Sequence, residues 1–172
     1  MLPGFGGGPG QPILVALEQA LRLEGLESMR AALPPGRPSP GLVREVDAAR
    51  SWIHSDPGIL AYAGRSFGGR VLARLALESA PRALLLLGFP VRSQAGTPRP
   101  EDEAVLERLS CPTLIVQGAR DPLGPIRTFR RLAASNRMLQ LRVIPGATHS
   151  FGRGESRAIQ LAAEWLRGAL AS

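Results

Sequence analysis

The chain has 172 residues, 44% of them hydrophobic, with 21 basic against 14 acidic residues and a net charge of +7. That length suits one domain, here residues 1–172, which can bury roughly 70% of the surface its unfolded form exposes. A single cysteine excludes an internal disulfide, and one cysteine with two histidines leaves too few soft ligands for a zinc site.

No apolar run approaches the roughly 20 residues of a membrane span. The opening Met1-Leu2-Pro3-Gly4 lacks the basic and apolar regions of a signal peptide, so the expected compartment is the cytoplasm. The positive charge raises nucleic acid as a partner. Yet every basic residue is Arg and the arginines are scattered, as a GC-rich coding bias produces. Even the densest group, Arg120, Arg127, Arg130, Arg131 and Arg137, reads as a solvated surface, and nucleic acid is not the expected partner.

The first dozen residues are a loop by their Gly and Pro content. Residues 13–23 read as a helix with Leu14, Leu17 and Leu21 on one face, ended by Gly25. Residues 28–33 are a short strand candidate. Pro34 to Pro40 break the chain, and residues 42–53 then repeat apolar positions at helical spacing up to Asp56-Pro57-Gly58. Residues 59–63 form a short apolar strand, and a helix follows to about Ser79. Residues 83–87 are wholly apolar, as a strand covered on both faces should be. A helix over 101–109, a strand over 113–116, a helix over 126–134, a strand over 139–144 and a helix over 156–170 complete the chain. Strand and helix alternate from Ser28 onward, which predicts a three-layer α/β sandwich with a mostly parallel sheet of five to six strands.

Gly64-Arg65-Ser66-Phe67-Gly68 is a G-x-S-x-G motif between a predicted strand and a predicted helix, the context in which the motif makes a nucleophile elbow. So tight a turn requires small residues two before and two after the serine, hence Gly64 and Gly68. It lifts the hydroxyl above the strand end and turns backbone N–H groups toward it, beside a helix N-terminus. A nucleophilic serine needs a base, and the base an orienter. Of the two histidines, His54 precedes the elbow, whereas His149 follows the last predicted strand. Asp121 follows the strand before it. Ser66, Asp121 and His149 thus all fall in loops at the carboxyl edge of the sheet, where ligands of open α/β sheets bind, in the chain order Ser, Asp, His.

At these residues the chain resembles the α/β-hydrolase superfamily, and more narrowly its small, lidless branch related to dienelactone hydrolases. The likeness is carried by Gly64 to Arg70, Leu86-Leu87-Gly88-Phe89-Pro90, Pro112 to Pro122 and Gly146-Ala147-Thr148-His149-Ser150-Phe151. It implies a reduced α/β-hydrolase fold, with Ser66 as nucleophile, His149 as base and Asp121 as orienter. It also implies a second oxyanion donor from an early glycine-rich loop, for which Pro3-Gly4-Phe5-Gly6-Gly7 is the match. The N–H groups of Phe67 and Phe5 would then share the oxyanion. In the family a full strand precedes that loop and lies beside the elbow strand, while here only Met1 and Leu2 precede it. The neighbouring strand's backbone groups are therefore expected to be unpaired unless the chain continues upstream or the sheet re-pairs.

The function this implies is a serine hydrolase of small esters or thioesters that needs no metal and no organic cofactor. The competing reading is a binding or assembly module on the same fold. Arg65 has two readings, a contact to a substrate carboxylate or, more in keeping with a guanidinium's fork of donors, a brace for nearby loops. Cys111 reads as a small buried residue, His54 as solvated, and Trp52 and Trp165 as core.

Overall fold

The computed structural model describes residues 1–171. In chain order it contains α1 (Pro12–Leu23), α2 (Val43–His54), β1 (Ala61–Arg65), α3 (Phe67–Glu78), β2 (Ala83–Leu87), α4 (Pro100–Arg108), β3 (Thr113–Gly118), α5 (Ile126–Ser135), β4 (Leu139–Ile144) and α6 (Glu155–Ala171). Among the described residues no helix is long and apolar enough to cross a membrane.

The strands form one parallel sheet in the order β1-β2-β3-β4. The sheet has four strands rather than five to six. Residues 28–33 are irregular, joined to the start of the chain by Ala31 N–H to Met1 C=O (3.0 Å) and by the Met1 ammonium to Met29 C=O (2.6 Å). Two such bonds do not make a ladder. The elbow strand sits two residues later than its apolar run predicts. Gly64 and Arg65 pair with Leu86 and Leu87, while Leu60 stays outside, its C=O accepting from Arg82 N–H.

Period-2 alternation divides the core into two layers. Leu84 and Leu86 of β2 and Ile115 of β3 face a cluster with Val46 of α2, Leu72 of α3, Leu106 of α4 and Phe129 of α5. Ala83, Leu85, Leu87, Leu114 and Val116 face the other cluster, with Leu14 and Leu17 of α1 and Ala158 and Ala162 of α6. Helices therefore cover both faces, as predicted, and β2 is fully buried along its length. Trp52 and Trp165 lie at the margins of these clusters, half-buried, rather than within them. The β4 edge carries exposed Gln140 and Arg142, polar side chains that discourage further strand pairing there.

The β1 edge is closed differently. Leu2 N–H donates to Ala63 C=O (2.9 Å) and Arg65 N–H donates to Leu2 C=O (3.0 Å), making an isolated parallel bridge between Leu2 and Gly64. One residue thus satisfies the carboxyl half of β1, where a whole strand was expected to be missing. Beyond the bridge, a groove of about 910 Å³ runs along the same edge, lined by Met1, Leu26, Trp52, Ile59, Tyr62 and Leu170 among others.

A buried ion network ties the elbow helix to α4. Asp102, wholly buried, accepts from Arg70 Nε (2.8 Å) and Arg74 Nη1 (2.6 Å), both on α3. Removing one member of such a network leaves buried charge uncompensated, which costs roughly 3–5 kcal/mol. Asp102→Ala is therefore expected to lower the unfolding free energy by about that amount. Urea titration checks this, and a change under about 1 kcal/mol would show the network to be dispensable.

Candidate active site

The site begins with a strained serine. Ser66 lies between β1 and α3 with φ 47° and ψ −108°, a positive φ that a residue with a Cβ adopts only when its surroundings compel it. Its N–H donates to Leu87 C=O (2.9 Å) and its C=O accepts from Arg70 N–H (3.2 Å). The flanking glycines are needed for the reason the motif implied. A Cβ on Gly64 would lie 2.5 Å from Gly69 Cα, and one on Gly68 would lie 2.5 Å from Leu2 C=O. The second clash shows that the turn is packed directly against the bridge residue. Gly68 N–H also donates to Pro3 C=O (2.9 Å).

The loops after β3 and β4 converge on this turn. Ala119 N–H donates to Ile144 C=O (3.0 Å) and Arg120 N–H to Ala147 C=O (2.8 Å). Gly118 makes the approach possible, because a Cβ there would overlap the Ala147 and Thr148 carbonyls. Asp121 ends the turn from Gly118, and its side chain is completely buried. His149 stands two residues before Phe151, which is 1% exposed and takes φ 63°, anchoring the loop from below.

The three side chains form one hydrogen-bonded chain. His149 Nε2 is 2.9 Å from Ser66 Oγ, and His149 Nδ1 is 2.7 Å from Asp121 Oδ2. Asp121 Oδ1 accepts from Leu123 N–H (2.9 Å), and Oδ2 accepts also from Gln117 Nε2 (2.6 Å). Arg65 Nη1, which can only donate, lies 3.3 Å from His149 Nε2. A donor-only group at Nε2 and a carboxylate at Nδ1 together assign the tautomer. Nδ1 carries the hydrogen and Nε2 presents its lone pair to the serine.

Arg65 is 6% exposed and has no carboxylate within ion-pair distance among the described residues. Burial pulls its guanidinium below the usual range, and the charges of Asp121 and Glu155 offset part of that. Its hydrogen bonds go to Leu87 C=O (3.3 Å), Gly88 C=O (3.4 Å) and His149 C=O (2.6 Å). Its cation also sits 5.6 Å from the Phe151 ring centroid. These are the contacts of a brace between the end of β2 and the histidine loop.

The early loop runs beside the serine, since a Cβ on Gly4 would be 3.6 Å from Ser66 Cβ. Gln11 Oε1 accepts Gly4 N–H (2.9 Å). The N–H groups of Phe5 and Phe67 have no partner among the described residues. The Phe5 ring packs edge-on against Phe67, centroids 5.7 Å apart at 86°, and remains 65% exposed at the rim. Both phenylalanines predicted as oxyanion donors are thus at the elbow with free donors. Two other candidates lie elsewhere. His54 is exposed, and Cys111 is buried at the amino end of β3, its thiol pushed up by burial. Phe129, inside the Arg-rich stretch of α5, is fully buried. The groove along β1 includes none of Ser66, Asp121 and His149. Sequence reading gave no role to Gln117. Its signal was a lone polar side chain closing the apolar run Leu114-Ile115-Val116.

Comparison with known proteins agrees with this architecture. The family described as alpha/beta hydrolase domain matches residues 23–170. An uncharacterized protein of Mycobacterium tuberculosis is 30% identical over 137 residues, covering 67% of this chain and 48% of its own. The chain therefore spans about half the length of the curated relatives it matches. Among solved structures, Est1E from Butyrivibrio proteoclasticus superposes with a TM-score of 0.80 at 18% identity, over 99% of this chain and 87% of that one. The dienelactone hydrolase from Anabaena variabilis gives 0.76 at 22% identity, over 95% and 83%. An alpha-beta serine hydrolase homologue from Coxiella burnetii gives 0.73 at 21%, over 96% and 83%. The structural likenesses concern the fold, and the family match spans all four strands. The chain belongs to the alpha/beta hydrolase family.

Proposed function

We propose that the protein is a serine hydrolase that cleaves small carboxylic esters or thioesters through an acyl-enzyme on Ser66. The observation that carries this reading is the unbroken chain from Ser66 Oγ through His149 to the buried Asp121 carboxylate, starting on a strained elbow. Membership of a hydrolase family and likeness in fold to esterases support it.

Ser66 Oγ attacks the substrate carbonyl while its proton passes to His149 Nε2. Asp121 holds the ring and stabilises the imidazolium that forms. The negative charge on the carbonyl oxygen falls to the free N–H groups of Phe67, at the first turn of α3, and Phe5. His149 then returns the proton to the departing alkoxide or thiolate. Water, activated by the same imidazole, attacks the acyl-serine, releases the acid and restores Ser66. Every proton moves between Ser66, His149, the leaving group and water, so this route uses no metal and no organic cofactor. The segment between β2 and β3 contains only α4 and loops, too little chain for a lid domain. That favours small, freely diffusing esters over an interfacial lipid substrate.

A fluorophosphonate probe is expected to label the wild type and neither Ser66→Ala nor His149→Ala. Unlabelled, folded wild type would refute the hydrolase reading and leave a binding role on this fold. Asp121→Asn keeps the shape but reverses the tautomer preference, and its kcat on a p-nitrophenyl ester is expected to fall about 10³- to 10⁴-fold. Arg65→Met removes the brace on the histidine loop. Hydrogen–deuterium exchange is expected to quicken over residues 147–152 and to stay unchanged in β2 and β3; unchanged exchange in the loop would show that the brace is not needed.

A further inference from the structure

Gln117 is a wholly buried amide at the end of β3. Its Nε2 donates to Asp121 Oδ2 (2.6 Å), the oxygen that also faces His149 Nδ1 (2.7 Å). Its Oε1 is buried with no partner among the described residues. An unpaired buried acceptor is unfavourable, so something fixes the amide in this sense. The reverse orientation would set Oε1 against the carboxylate, acceptor against acceptor. Asp121 therefore dictates how Gln117 points. The backbone at Gly124 walls the amide in, because a Cβ there would overlap Nε2 and come within 2.7 Å of Phe89 C=O. With Leu123 N–H on Oδ1 and Gln117 on Oδ2, both carboxylate oxygens are tied. Without the second tie Oδ2 keeps only His149 Nδ1 as a partner among the described residues, and Leu123 N–H on Oδ1 is the one contact left to hold the carboxylate toward it.

We propose that Gln117 is a positioning residue for Asp121, and that its N–H donor rather than its bulk is what the site uses. This rests on the Ser66–His149–Asp121 reading above. Gln117 meets no substrate and acts only through the orientation of Asp121 and, through it, of His149.

Two variants separate donor from bulk. Gln117→Leu keeps most of the volume and removes the donor. It is expected to lower both the fluorophosphonate labelling rate and kcat on p-nitrophenyl acetate by about ten- to a hundredfold, the range that loss of an outer hydrogen-bond partner costs at metal-bound histidines and carboxylates. KM is expected to stay within about twofold, since binding is untouched. Gln117→Glu keeps the shape but donates only while protonated. The titratable group in contact with it is Asp121 on the following turn, which in turn meets His149 from the β4–α6 loop; Arg65 from the elbow feels the charges of Asp121 and of Glu155 at the start of α6. The Asp121 carboxylate opposes a second negative charge beside it. The ratio of Q117E to wild-type kcat/KM is therefore expected to be highest at the acid end of the profile and to fall as pH rises. If the position only needs filling, protonation brings no gain at the acid end, and a charged carboxylate near His149 would favour the imidazolium and give a flat or rising ratio. If Gln117→Leu fails to fold, the Gln117→Glu profile decides by itself. A flat or rising ratio, or Gln117→Leu labelling at the wild-type rate, overturns the proposal while the hydrolase reading stands. Wild type that does not label overturns both.

Discussion

The backbone of Ser66 must be held at a positive φ, and much of the molecule's local geometry follows from that. A conformation of this kind costs on the order of 1–3 kcal/mol and persists only when its neighbours over-determine it. Here the neighbours act from three sides. Leu87 C=O takes the Ser66 N–H from the end of β2. Pro3 C=O takes the Gly68 N–H from the early loop. Helix α3, buried from Phe67 to Ala73, cannot rotate without exposing that surface. The Asp102 network adds a fourth constraint by pinning Arg70 and Arg74 of the same helix to α4.

The convergence of the two other loops depends on small residues of the same kind. Gly118 lets the β4–α6 loop touch the end of β3, and Gly124 makes room for the Gln117 amide beside Asp121. Ser66, His149 and Asp121 are thereby brought together largely by backbone contacts. Two side chains add to this, the Gln117 amide on Asp121 and Arg65, a buried cation whose donors face carbonyls of both sides and His149 Nε2. The place of Arg65 inside the motif puts the brace and Ser66 on one strand end.

On the β1 edge the pairing seen among the described residues lies at the end next to Ser66. Leu2 satisfies Ala63 C=O and Arg65 N–H, the two groups nearest the elbow, and its own side chain is 1% exposed in the core. Its carbonyl then serves as the surface against which Gly68 packs. The bridge thus works as part of the elbow more than as part of the sheet. Farther from Ser66, the same edge faces the groove lined by Met1, Trp52 and Tyr62.

Local features of the sequence determined which elements exist and what chemistry they can carry. Apolar runs such as Ala83–Leu87 are strands because only burial on both faces suits them. The G-x-S-x-G turn between strand and helix fixes a short-range geometry, which is why Gly64 and Gly68 were legible before any coordinates. Asp121 and His149 could be singled out as candidates because loops after parallel strands share one edge of the sheet. Tertiary structure decided what depends on partners distant in sequence. Residues 28–33, read as a short strand, hold no β-branched or aromatic residue and found no continuous ladder. The pairing of Leu2 with Gly64, the brace from Arg65 to His149 and the Gln117 amide on Asp121 join segments by contacts that no local pattern encodes. Periodicity reports which side of an element is apolar, whereas a hydrogen bond between loops depends on where the whole sheet puts their ends.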